Sequence, residues 1–342
     1  MSSDLTSIRS IPWEVEREDR PLTEVDLGCN QGNSKPDGNG SKPPTTKRRE
    51  RNSESILSVA EAVYNGSAVD TDALGFMAKM LVQTTLPHRA QPGRQYIRSD
   101  GDVTLSITDL GGAGLPYGAY PRLILVWMTT EALRTGERKL ELGRSLSTFM
   151  GQLGLHCTGG HWGTIPRFRG QMERLFGAAI STRWRGDQGG QSHTGGSNLV
   201  FAEEFDLWWT PQKLPQAGLA RSTVTLSQRF FEQLVEAPVP VDLRAIKALK
   251  RSPLSLDLYA WATRRVSYLK RPLSISWASF QLSFGADYAE TPQGRSRFRG
   301  NAIEALGRVK VVYPHLKIEI QRNGVLLYPS LTHVPKVPLT QA

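Results

Sequence analysis

The chain has 342 residues, 39% hydrophobic and 22% charged, a composition that suits a globular protein and excludes a fibrous or wholly disordered one. Its longest apolar run, Leu123 to Met128, is far short of the roughly 20 residues that cross a bilayer, its acidic N-terminus is no secretory signal, and two cysteines make no disulfide framework, so a reducing cytoplasm and no membrane partner are expected. The net charge of +10 is concentrated: residues 221–342 carry 18 Lys and Arg against 8 Asp and Glu, while 1–54 carry 9 against 10 and 55–220 carry 15 against 14. That split fits a last third that faces a polyanion, duplex DNA foremost, through counterion release; a solvated basic surface is the plainer alternative.

Residues 28–54 are rich in Gly, Ser, Asn, Pro and charge, ending in Lys47-Arg48-Arg49-Glu50-Arg51. They predict a disordered arm over 1–54. From Ser55 the apolar spacing predicts one helix through Val63 and another from Leu74 to Leu81. Val103 to Ile107 alternates as a strand. A Gly/Pro turn opens a helix over Arg122 to Arg134, followed by a strand at Lys139 to Leu142, a short helix at Ser145 to Leu153 and a longer one from Ile165. Gly186 to Asn198, with five glycines and no aliphatic residue, reads as a mobile hairpin loop, and Leu199 to Trp209 as strand.

The chain contains an internal duplication. Arg167-Phe168-Arg169-Gly170 recurs as Arg297-Phe298-Arg299-Gly300, an offset of 130. Trp127 and Thr129 match Trp261 and Thr263 at 134, Leu140 and Leu142 match Leu273 and Ile275 at 133, and Phe149 and Gly154 match Phe280 and Gly285 at 131. Each copy reads helix, strand, short helix, turn, longer helix, hairpin, which is the order of a winged helix. The expected fold class is therefore α+β, mainly helical, with two tandem winged-helix domains: 55–220 for dimerisation or a second DNA contact, and 221–332 as the main DNA-binding domain, with a tail at 333–342. Asn323-Gly324 is expected to make the tight turn of the second wing.

In the repeated helix, Phe298, Ala302, Ala305, Leu306 and Val309 form one apolar stripe, as do Phe168, Met172, Leu175, Phe176 and Ala179. Beside it run Arg297, Asn301, Glu304 and Arg308, and in the first copy Arg167, Gln171 and Arg174. Arg suits guanine and Asn or Gln suits adenine, so Arg297, Asn301, Arg308, Arg167, Gln171 and Arg174 are the candidates for base readout. Ser296, Gly300 and Gly307 make a low face that lets the helix approach DNA closely. Arg295, Arg299, Lys310, Arg322 and Arg169 are placed for phosphates.

Several ordered motifs stand out: Leu115-Pro116-Tyr117-Gly118 leading into Pro121-Arg122-Leu123, Leu142 to Ser147 with Phe149-Met150, and Gln171-Met172 before Arg174-Leu175-Phe176. Others are Leu86-Pro87-His88, the Phe205, Trp208 and Trp209 patch, Pro238 to Asp242, and Ala248 to Ser252. Together, over roughly residues 55–332, they resemble the RepA-type plasmid replication initiators. The resemblance implies binding to repeated origin sequences called iterons, opening of adjacent AT-rich DNA, and recruitment of host helicase and host initiator proteins in a bacterial cytoplasm. It also implies a monomer–dimer equilibrium in which dimers repress the initiator's own promoter.

No phosphate-binding Gly-x-x-x-x-Gly-Lys-Ser/Thr loop occurs, and no His-x-His pair of a nicking enzyme. His156, Cys157 and His161 lack a fourth zinc ligand. No catalytic residue, cofactor or metal is therefore expected. The alternatives are a transcriptional repressor without an initiator role, a DNA-nicking rolling-circle initiator, and a scaffold that binds no DNA.

Overall fold

The computed structural model describes residues 56–63, 65–79, 82, 85–100, 103–143, 145–188, 191–208, 221–285 and 287–335. The arm at 1–54, its basic cluster and Trp209 lie outside them. Helix α1 covers residues 56–63. The helix expected from Leu74 is instead strand β1 (Leu74–Ala78), paired antiparallel with Pro238–Asp242 in the register Leu74 to Asp242 and Ala78 to Pro238. The Phe76 N–H donates to the Thr130 hydroxyl at 2.9 Å. Long-range pairing has overridden a local apolar pattern that suits either period.

Strands β2 (Gln95–Asp100) and β3 (Val103–Asp109) form a hairpin. Helix α2 (Ala119–Thr135) buries Pro121 through Val126, Met128, Thr129 and Ala132, so it is apolar almost all round and runs through the core. After β4 (Lys139–Glu141), helix α3 (Leu146–Gln152) begins where the Ser145 hydroxyl accepts the Thr148 N–H. Helix α4 (Thr164–Phe176) buries Phe168, Met172, Leu175 and Phe176, and it ends before Ala179, which belongs to the next strand.

The glycine-rich segment is no loop. Strands β5 (Ala178–Gln188) and β6 (Gln191–Val200) pair along their whole length and extend the first hairpin into a sheet ordered β2-β3-β5-β6. Gly195 faces Trp184, and a Cβ there would stand 2.4 Å from the indole. The missing side chain makes room for a ring, which is why glycine sits inside this strand. Strand β7 (Ala202–Asp206) follows after a break at Phe201, then β8 (Thr223–Leu226), α5 (Gln228–Glu236), β9 (Pro238–Asp242) and α6 (Leu243–Leu249).

The second copy comprises α7 (Pro253–Val266), β10 (Leu273–Ser276), α8 (Trp277–Phe284), α9 (Pro292–Val312), β11 (Ile318–Ile320) and β12 (Gly324–Leu327). Its three strands are ordered β10-β12-β11, and the first copy repeats that order as β4-β8-β7. The topological partner of the β11–β12 hairpin is thus β7–β8. The expected wing directly after α4 is an insertion that joins another sheet. The expected break at 220/221 falls between two paired strands of one sheet, and residues 53–342 form one compact unit.

Both copies build the same aromatic corner. Trp127 meets Phe149 edge to face at 4.7 Å and Phe149 meets Phe168 at 5.8 Å; Trp261 meets Phe280 at 5.6 Å and Phe280 meets Phe298 at 6.3 Å. The turn between β11 and β12 is closed by the Gln321 N–H donating to the Gly324 carbonyl at 2.9 Å, with Arg322 and Asn323 between them, and neither Asn323 nor Gly324 has a positive φ. Gly324 opens β12, where a Cβ would lie 2.0 Å from the Ile275 carbonyl oxygen.

A buried polar bolt joins the copies. Arg122 on α2 donates to both carboxylate oxygens of Asp257 on α7, and also to the carbonyls of Leu86, Pro87 and Gly118. His88 Nε2 lies 2.8 Å from Asp257, and its backbone N–H donates to Asp287 just ahead of α9. The expected tail at 333–342 begins as packed chain: His333 stacks on Tyr313 at 4.5 Å and bonds the Tyr259 hydroxyl at 2.7 Å. Residues 336–342 lie outside the description.

Candidate nucleic-acid interface

Helix α9 has 21 residues, starting with the Thr291 hydroxyl accepting the Gly294 N–H and Pro292 at its first position. Phe298, Ala302, Ala305, Leu306, Val309 and Val312 are buried, the stripe its sequence spacing predicts. Directly opposite, Ser296, Gly300, Ile303, Gly307 and Lys310 follow at i, i+4, i+7, i+11 and i+14, all exposed. Among the described residues, nothing lies within 4 Å of where a Cβ would stand on Gly300 or Gly307. The glycines therefore crowd no neighbouring helix, and each forgoes about 1 kcal/mol of helix propensity against alanine.

The candidate base readers of this helix part company. Arg297 is exposed and makes no hydrogen bond or ion pair among the described residues. Asn301 donates to the Tyr288 hydroxyl at 2.8 Å, and Tyr288 itself packs on Phe298. Arg308 is turned toward α7, donating to Ser255 at 3.1 Å and to Ser252, and it pairs with Glu304 at 2.6 Å. The flank that carries Asn301 and Arg308 is thus occupied by the protein's own partners, and Arg297 alone of the three is free to meet a ligand.

In the first copy the correction is larger. Gln171 is buried and its side-chain oxygen accepts the Tyr117 N–H at 2.8 Å, so it reads no base. Arg174 lies over the Tyr117 ring at 5.3 Å. Arg167 donates to the carbonyls of Gly163 and Trp162 at the start of α4. Arg169 pairs with Glu173 at 2.9 Å. Gln171 and Arg174 hold the long Gly/Pro turn before α2 through Tyr117, while Arg167 and Arg169 are engaged at the start of α4 and along it, demands that the helical wheel does not reveal.

Of the phosphate candidates, Arg295 and Lys310 are exposed near the two ends of α9, and Arg322 is exposed at the β11–β12 turn. Arg299 lies over the Trp277 ring at 5.3 Å, a cation–π contact that leaves it half-buried. The sequence reading missed a further basic group at the end of α6. Lys247 and Lys250 both lie against Gly154, with Arg251 next in the chain. Burial, then the charges of Arg251 and Lys247, hold the Lys250 ammonium below its ordinary pKa. Its signal was present in Ala248 to Ser252, a motif recognised without a role.

Among the described residues no His, Cys, Asp and Glu grouping is placed to hold a metal, and no helix is long and apolar enough to cross a membrane. His161 instead stands edge-on to the exposed Trp162.

The family model described as plasmid encoded RepA protein matches residues 115–278. That segment, just under half of the chain, is similar to the RepA family. The RepA segment opens at Leu115, ahead of α2, and closes just after α8 begins, so it holds the first copy and the start of the second, while α9 and the β11–β12 hairpin follow it. Two solved structures of domains 2 and 3 of RctB are also similar to this chain. One has 11% identity and a TM-score of 0.46, covering 72% of this chain and 94% of its own. The other, a selenomethionine derivative, has 10% identity and a TM-score of 0.45, covering 71% and 95%. No curated protein matches.

Proposed function

We propose that this chain is a RepA-type, non-enzymatic initiator that binds repeated sequences in duplex origin DNA with the open face of α9. The observation that carries it is the meeting of Arg297, unpartnered among the described residues, with a face of glycine and serine that none of those residues covers, on a helix followed by a hairpin. A helix can enter the major groove, where arginine reads guanine with two hydrogen bonds. Arg295, Lys310 and Arg322 surround that face with charges for the phosphate backbone.

Both copies are read as winged helices, on the shared strand order and the shared aromatic corner. They divide the work. The second copy reads DNA, while the first, whose base-reading candidates are engaged internally, serves as scaffold, self-association surface or phosphate contact. Opening of the duplex then draws on binding free energy, since bending a site costs on the order of 1–6 kcal/mol, within reach of several bound copies. Recruitment of host helicase and initiator proteins, repression of its own promoter and action in the bacterial cytoplasm belong to the same reading.

The test is a footprint of the full chain on DNA flanking its coding region. Protection of direct repeats about two helical turns apart, roughly 20 base pairs, is the expected result. Failure to protect or shift any duplex at low salt overturns the reading, and a covalent tyrosine–DNA adduct would make the chain a nicking enzyme instead.

A further inference from the structure

We infer that Ile303 reads the C5-methyl group of a thymine in the major groove and is a specificity-determining residue of α9; the inference rests on the DNA-binding role proposed above. Ile303 is 36% exposed and takes no part in the apolar core, because it stands on the side of the helix away from Phe298, Ala302, Ala305 and Val309. Helix propensity does not call for it there, since a β-branched side chain loses rotamer freedom against the preceding turn. Its neighbours on the same face, one turn to either side, are Gly300 and Gly307, with open space where their side chains would be. Among the described residues, Ile303 is therefore the one bulky apolar group on this face of α9.

The surroundings select the occupant. A docking face for an apolar protein segment needs companion apolar groups, and this face offers serine, two glycines and a lysine, with Arg297 on its border. The acidic residue nearest in sequence, Glu304, is paired with Arg308. An apolar knob with Arg297 and Lys310 about two turns to either side suits a polyanion that carries an apolar feature at the bottom of a groove. In duplex DNA that feature is the thymine methyl, which projects into the major groove beside the hydrogen-bonding base edges.

The experiment uses the full chain and a duplex enriched by it from a random pool. Each thymine of the enriched duplex is replaced in turn by deoxyuridine, which pairs identically and lacks only the methyl. For the wild-type chain one position should weaken binding about fourfold, the worth of one buried methyl group. In Ile303→Ala the thymine duplex should bind about fourfold more weakly and the deoxyuridine swap should have no further effect, with the helical circular dichroism unchanged. A swap that weakens both chains equally, or none that weakens the wild type, overturns the role of Ile303. Failure of the underlying reading looks different: no duplex is enriched, or Arg297→Ala binds the enriched duplex as well as the wild type does.

Discussion

Arg122 sets its guanidinium against both carboxylate oxygens of Asp257, at 2.7 and 2.8 Å, across 135 residues of sequence. Both side chains are almost fully buried, and the Arg122 charge, with the His88 hydrogen bond, holds the Asp257 carboxyl below its ordinary pKa in spite of the desolvation that opposes it. The pair fixes the first helix of one copy to the first helix of the other.

Removing one partner leaves the other charge buried without its match. Arg122→Ala should destabilise the fold by about 3–5 kcal/mol in urea denaturation, and the Arg122→Leu, Asp257→Leu double variant should recover part of it. Equal loss in single and double variants would contradict the pairing.

Stability should fall between pH 6.5 and 4 on account of His333. Burial pushes its pKa down from 6.5 to about 4. The unfolded chain therefore takes up a proton in that window which the folded chain refuses, so stability is full above 6.5 and lost progressively as the pH falls toward 4. The loss is on the order of 3 kcal/mol. Asp257, shifted downward, contributes above the ordinary carboxylate range and adds its loss only at lower pH. Denaturation curves from pH 8 to pH 4 should show the slope, and His333→Phe should flatten it.

Arg297 and Lys310 should separate by kind of effect. Arg297→Ala is expected to cost about 1–3 kcal/mol on the preferred duplex and to relax its sequence preference. Lys310→Ala should weaken all duplexes alike and reduce the salt dependence by about one phosphate contact. Uniform loss from Arg297→Ala would make that residue a phosphate contact.

Gly324→Ala should disturb the second three-stranded sheet, because a Cβ would meet the Ile275 carbonyl at 2.0 Å across the β10–β12 pairing. The overpacking should cost about 1–3 kcal/mol. Thermal unfolding measures the cost, and a duplex-binding assay on the folded fraction reports whether the hairpin contributes to affinity.

The duplication and the apolar stripe of α9 were legible in the residues, the first as a repeated pattern and the second because helical spacing is set by positions close in the chain. Leu74–Ala78 was not, because its strand exists only by pairing with Pro238–Asp242. The glycines of the β6 segment read as loop for want of a view of Trp184 across the hairpin. At the interface, the wheel that aligned Arg297, Asn301 and Arg308 was right in geometry and silent about Tyr288, Ser252 and Ser255, which claim two of the three.

By itself, the order of residues determined that one module occurs twice, that most positive charge gathers in the last third, and which edge of each long helix turns inward. These are periodic or compositional properties, and side-chain spacing on a helix obeys them without reference to distant chain. Only the tertiary structure decided which strands close each sheet, how Arg122, His88, Asp257 and Asp287 lock the copies together, and which arginines remain free for a ligand. A charged side chain settles on whatever carboxylate or hydroxyl the fold brings within about 3 Å, and that proximity is a property of the packed molecule.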